Sequence, residues 1–142
     1  VNNYKIVGPR DIAYVPVTSR NGGKITIAQN TEDVSCLISS AYISFRCNET
    51  ELLPAYLMLF FTRLEFDRYA RFHSWGSARE VFSWEDMQEV RIPIPDIEIQ
   101  ESLANLFAVY NQRKEINERI KSQIKDICPI LIKGSLEEAS KS

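Results

Sequence analysis

From Ile97 to Cys128 the chain contains neither glycine nor proline, and Pro129 closes the run. That allows a helix of about 30 residues, roughly 45 Å long at 1.5 Å per residue. Asp96 stands immediately before it as an N-cap. The whole chain has 142 residues, enough for one ordinary domain with a real core. A domain of that size has little use for so long a helix unless something packs along it. Stepping by three and four gives Leu103, Leu106, Tyr110, Arg113, Asn117, Ile120, Ile124, Ile127 and Leu131. This is the spacing of a coiled-coil seam, with Arg113 and Asn117 as polar interruptions that cost stability and fix register and partner. Lys114, Glu115, Glu118, Arg119, Lys121 and Lys125 supply a mixed charged face. The spacing predicts an oligomerisation helix over 97–132, followed by a flexible tail over 133–142. The alternative is packing on the chain's own sheet, whose small size the far end of the helix would overrun.

The first half has strand character. Tyr4–Val7, Ile12–Val17, Lys24–Gln29, Val34–Ser39 and Ala41–Cys47 are short β-rich runs separated by turn residues. Asn21-Gly22, between the second and third runs, is a hairpin signal. Pro16 suits an edge or a bulge, because it cannot donate to a ladder. From Leu52 to Phe72 the apolar spacing turns helical, with Pro54 suited to the first turn. That helix is expected to stop at the polar loop beginning His73-Ser74-Trp75-Gly76-Ser77. Ser83-Trp84-Glu85-Asp86 has the form of a capping box, and the two prolines of Ile92-Pro93-Ile94-Pro95 require extended backbone. The fold class is therefore α+β: a small mixed β-sheet with packed helices over 1–96, then the long helix.

Composition narrows the function classes. Apolar residues make up 44% and charged residues 25%, which is globular composition. The net charge of −2 argues against nucleic acid as a partner only if it is evenly spread. It is not: residues 1–30 carry +3, residues 31–62 carry −3, residues 63–82 carry +1, residues 83–100 carry −4 and residues 101–142 carry +1. Cys36, Cys47 and Cys128 form no C-x-x-C pair, and His73 is the single histidine, so no metal site is expected. Scattered thiols fit small buried hydrophobes in a reducing, cytoplasmic setting. Apolar runs such as Leu57–Phe61 are far short of the ~20 residues that cross a bilayer, so no membrane partner is expected. No phosphate-cradling glycine loop, nucleophile elbow or triad is present. His73 beside Ser74 does not make a nucleophile–base pair, since sequence neighbours seldom face each other. Neither enzymatic activity nor a cofactor is indicated.

Recognition chemistry is better represented. One loop offers Thr18, Ser19, Arg20, Asn21 and Lys24, and a second offers His73, Ser74, Trp75, Ser77 and Arg79. Arginine pairs bidentately with guanine and asparagine with adenine, while hydroxyls and lysine suit phosphates. Thr18, Ser19, Arg20, Asn21, Lys24, His73, Ser74, Ser77 and Arg79 are the candidate DNA contacts.

An ordered series adds weight to that reading. Gly76-Ser77-Ala78-Arg79, Phe82, Met87, Val90, Ile92-Pro93-Ile94-Pro95, Ile99-Gln100 and Leu103-Ala104 follow one another. Upstream come Lys5-Ile6-Val7, Asp11-Ile12-Ala13-Tyr14, Ser39-Ser40 and Leu53-Pro54-Ala55-Tyr56-Leu57. Over roughly residues 4–132 the chain resembles a target recognition domain and following helix of the specificity subunit of type I restriction-modification systems. The resemblance implies a non-catalytic subunit that reads double-stranded DNA. It also implies partner methyltransferase and restriction subunits, which themselves use S-adenosylmethionine and ATP. Such subunits usually carry two recognition domains whose helices pack antiparallel. Here there is one of each, and the chain opens at Val1, so the recognition domain is expected to be incomplete at its N-terminus. A fragment, a truncated frame and a half-subunit that forms a homodimer through its helix all remain open. A different class is a truncated remnant that serves as a helix-mediated interaction module without binding DNA.

Overall fold

The computed structural model describes residues 3–18 and 23–139, with side chains as far as Lys133. Two compact units divide at Ala104–Asn105, and the first holds every strand and the three shorter helices.

The first unit is α+β. Its strands are β1 (Tyr4–Val7), β2 (Ile12–Tyr14), β3 (Ile27–Gln29), β4 (Cys36–Ser39) and β5 (Ile43–Phe45). Where one mixed sheet was expected, the strands form two small sheets in which every pairing is antiparallel. β1 pairs with β4, setting Ile6 opposite Leu37. β2 lies between β3 and β5, with Ala13 opposite Ala28 on one side and Ser44 on the other. All three residues of β2 are buried, so this strand is the spine of the core.

The β1–β2 connection is a tight turn. Pro9 has its ring-fixed φ at the second position and Arg10 sits at φ 66°, the left-handed region that costs a side-chain-bearing residue about 1 kcal/mol. Asp11 holds the turn by accepting the Gly8 N–H at 2.9 Å, and Arg10 donates its own N–H to the Asn30 carbonyl at 2.8 Å.

The helical run after Leu52 breaks in two: α1 (Pro54–Phe61) and α2 (Leu64–Phe72). No glycine or proline marks the break. Thr62 caps α1 with its hydroxyl donating to the Met58 carbonyl at 2.8 Å, and the chain turns at Arg63, which is extended at ψ 147°. The bend brings Phe61 and Phe66 to a ring separation of 4.6 Å. A straight helix over the whole run would reach about 30 Å, far past strands three residues long. Ile12, Tyr14, Ile25, Leu57, Phe61, Phe66, Ala70, Phe82 and Met87 make the core. α3 (Trp84–Gln88) opens on the expected capping box, with both Ser83–Asp86 bonds present. Residues 90–96 carry no regular secondary structure, as the two prolines require.

α4 runs from Ile97 to Ala139. The expected stop at Pro129 is corrected: that residue lies inside the helix. A proline forfeits one backbone bond and crowds the preceding turn, at about 3 kcal/mol, and the helix-forming residues on both sides carry the helix past it. The first turns of α4 belong to the first unit through Gln100, which is wholly buried. Its amide donates to the carbonyls of Glu51 at 2.8 Å and Pro95 at 2.7 Å, and its oxygen accepts the Leu53 N–H at 2.9 Å.

The second unit is the rest of α4. Most of its large apolar side chains are exposed, among them Leu106, Tyr110, Ile120, Ile124 and Ile127, while Phe107 is half-buried. Val109, Ile116 and Ile130, also exposed, lie beside the seam at seven- and fourteen-residue intervals and widen the apolar stripe. Among the described residues, no helix is long and apolar enough to cross a membrane.

Candidate nucleic-acid interface

The two recognition loops come from segments more than fifty residues apart in sequence, and the fold knits them together. Val81 bridges Val17 on one side and Trp75 on the other. Around that bridge, Phe82 donates its N–H to the Pro16 carbonyl at 2.8 Å, and Thr18 donates its own to the Glu80 carbonyl at 3.0 Å. Pro16 thus works as an acceptor outside any ladder. Beneath the junction lies Phe82, fully buried, with the rings of Tyr14, Phe66 and Tyr69 all between 6.2 and 6.3 Å away. Burial first, and then the nearby carboxylates of Glu85 and Asp86, push the Tyr14 hydroxyl above its ordinary pKa, so it stays protonated.

This construction divides the nine expected contacts. Thr18 and Ser74 are buried, 3% and 9% exposed, and are spent on each other through a 2.9 Å hydroxyl–hydroxyl bond. Ser74 also donates to the Ala70 carbonyl at 2.6 Å. In this structure the two hydroxyls fasten one loop to the other, because an unpaired hydroxyl at such depth costs more than it returns. His73 ends α2, with its backbone N–H bonded to the Tyr69 carbonyl and its ring 4.2 Å from that of Tyr69. Lys24, Ser77 and Arg79 are exposed. Ser19, Arg20 and Asn21 lie outside the described residues.

The loop between Trp75 and Val81 is closed tightly. Trp75 and Val81 exchange both backbone bonds, at 3.1 and 2.9 Å. Gly76 sits at φ +135°, and a Cβ there would collide with the Arg79 carbonyl, so only glycine fits. Arg71 pairs with Glu80 at the base of the loop. On the other side, the Asp67 carboxylate accepts the Ile25 N–H at 3.1 Å and ties α2 to the segment after Lys24.

Several cations are already engaged by carboxylates: Arg10 by Glu49, Arg46 by Asp11, Arg63 by Glu65 and Arg71 by Glu80. Lys24 and Arg79 have no such partner among the described residues. Among the described residues, the two loops therefore offer two exposed cations without a carboxylate partner and the Ser77 hydroxyl. Phe72 and Trp75 add two large exposed rings. The sequence gives no sign that Phe72, the last residue of an otherwise amphipathic helix, faces outward. Among the described residues, no group of histidine, cysteine and carboxylate side chains could hold a metal ion.

Taken together, these features define a small α+β domain with a polar loop junction, followed by a long helix with an exposed apolar stripe. The family model of the type I restriction modification DNA specificity domain matches residues 13–126, well over half of the chain. The chain belongs to that family, and its role is that of a specificity component of type I restriction-modification. No curated protein sequence matches it.

Proposed function

We propose that the first unit recognises a duplex DNA sequence without catalysing any reaction on it, and that α4 joins it to partner helices. The observation that carries this reading is the junction itself: two distant polar loops fastened by buried bonds, with Lys24 and Arg79 exposed and without a carboxylate partner among the described residues. Arg79 and Ser77 contact base edges and Lys24 contacts phosphate; Arg20 and Asn21, outside the described residues, are the further contacts the sequence offers.

The exposed stripe of α4 supports the second half. Leu103, Leu106, Tyr110, Ile120, Ile124 and Ile127 form the seam, with Arg113 and Asn117 setting register. In water a helix of this composition is stable only when its apolar face is covered. A second copy of this chain and the methyltransferase subunit of the same system are the partners the stripe serves, and the restriction subunit completes the assembly.

A gel-shift titration across salt concentrations tests the DNA half. Phosphate neutralisation makes affinity fall steeply as salt rises. Arg79→Ala and Arg20→Ala are each expected to weaken cognate binding at least tenfold. Cognate binding that is unchanged in both variants excludes the loop assignment.

A further inference from the structure

Phe72 is 77% exposed and Trp75 67% exposed, among the most exposed large apolar side chains of the first unit. Leu64, Arg68 and Phe72 follow one another at spacings of four on α2, and Trp75 stands three residues beyond Phe72 at the start of the 75–81 loop. Isolated exposed apolar residues are ordinary, but two aromatic rings beside the proposed reading loop are a patch. Trp75 is also held hard. Its backbone is locked to Val81, its predecessor Ser74 is buried and bonded, and its successor can only be glycine. Hydrogen-bonding side chains are few by comparison: with Glu80 paired to Arg71, the 75–81 loop offers Ser77, Arg79 and the indole N–H of Trp75 itself.

Resting on the DNA-reading function, we propose that Trp75, with Phe72 beside it, is an apolar wedge that packs into an opened base step of duplex DNA. Part of the sequence discrimination is then the cost of deforming that step rather than a hydrogen-bond code. Unstacking a step is costly, so a wedge works only from a stiff mount with enough positive charge nearby to hold the duplex against it. The Trp75–Val81 lock supplies the stiffness. Arg79 and Lys24, both without carboxylate partners among the described residues, supply the charge that commits the patch to a polyanion rather than to a protein surface. A flexible pyrimidine–purine step is the expected target, because it opens most cheaply.

The test uses the full chain and a random duplex pool. Sequences enriched by the wild type are resynthesised with 2-aminopurine at each position in turn. Wild-type protein is expected to raise 2-aminopurine fluorescence several-fold at one step and to leave the other positions quenched. Trp75→Ala is expected to abolish that rise and weaken binding to the enriched duplex at least tenfold, with less than a twofold effect on unselected duplex. Phe72→Ala is expected to give a smaller loss in the same direction, and Trp75→Phe to restore most of the rise. Trp84, half-buried against Phe45, gives an intrinsic emission that reports the fold in every Trp75 variant. Fluorescence that stays quenched at every position overturns the wedge, as does a Trp75→Ala protein that binds the enriched duplex like wild type. In either case the DNA reading stands and the aromatic patch belongs to a protein partner. If the wild type enriches no sequence, the DNA reading itself fails and the wedge fails with it.

Discussion

The loop junction of the first unit and the stripe of α4 are both surfaces built to meet something, and they are built in opposite ways. At the junction the chain buries its own hydroxyls, Thr18 and Ser74, and bonds them to each other so that charged and aromatic neighbours stand on a fixed base. Along α4 almost nothing is buried, and Leu106 at 68%, Tyr110 at 59% and Ile124 at 53% stay exposed. Polar recognition depends on geometry, so its surface is completed within one chain before any partner arrives. Apolar association depends on area removed from water, and that area is left for the partner to cover.

The largest expected effect tests the second surface. If two copies pair through this stripe as proposed, Ile120→Asp with Ile124→Asp puts four carboxylates into the seam in place of four isoleucines the pairing would bury, on the order of 6 kcal/mol or more per dimer. The variant should sediment as a monomer while keeping the near-ultraviolet signal of the Phe82 cluster. A dimer that survives places the interface elsewhere and breaks the contrast. Phe82→Ala attacks the other surface. It empties the centre of an aromatic cluster at about 3–5 kcal/mol, enough to unfold a marginal domain. Urea titration should show the loss, and association through α4 should survive it.

Gln100→Leu is expected to cost about 3 kcal/mol, because the Leu53 N–H and two carbonyls lose their partner inside the protein. Calorimetric melting measures it. A neutral outcome would mean that the start of α4 is held by packing alone. Thr18→Val comes next, at about 1–2 kcal/mol, since the isosteric methyl keeps the packing and loses only the bonds to Ser74 and Glu80. If the junction is the reading surface, this change should lower DNA affinity more than its stability loss alone explains.

Features enforced by covalent chemistry or local spacing could be read from the sequence. The capping box at Ser83, the end of α2 at His73, the extended Ile-Pro-Ile-Pro segment and the start of α4 all follow from one to four neighbouring residues. Features decided by distant partners could not. The break at Thr62–Arg63 exists because Phe61 and Phe66 share one small core, and nothing local forbids a straight helix there. Strands shortened for the same reason: Ile12–Val17 keeps ladder pairing only to Tyr14, because Pro16 and Val17 turn toward the 80–82 segment instead. In the candidate site the loops were legible by composition, but the direction of each side chain was not. Thr18 and Ser74 have the chemistry of surface donors, and only tertiary burial makes them a fastening.

The smallest effect is a pH dependence, and it separates the turn beneath β2 from the loop junction. Asp11 accepts bonds from the Arg46 guanidinium at 2.6 and 3.1 Å and from the Gly8 N–H at 2.9 Å. The guanidinium chiefly, with the Gly8 bond in support, holds the Asp11 carboxyl below its ordinary range despite the opposing effect of burial. A carboxylate with a depressed folded pKa binds its proton more readily when unfolded, so its contribution is full above the unfolded value of about 4. It is lost as pH falls through the lower folded value. Arg46 is largely exposed, so solvent screening limits the contribution to ~1 kcal/mol or less. Asp11→Asn should therefore be slightly less stable than wild type at pH 7, with the gap closing below about pH 4. Paired urea titrations at pH 7 and pH 3 read that difference. DNA affinity at pH 7 should not follow it, because Asp11 anchors the turn at Arg10 and, among the described residues, its carboxylate bonds only Gly8 and Arg46 rather than the 75–81 loop; an affinity loss larger than twofold would show that the turn and the junction act as one surface.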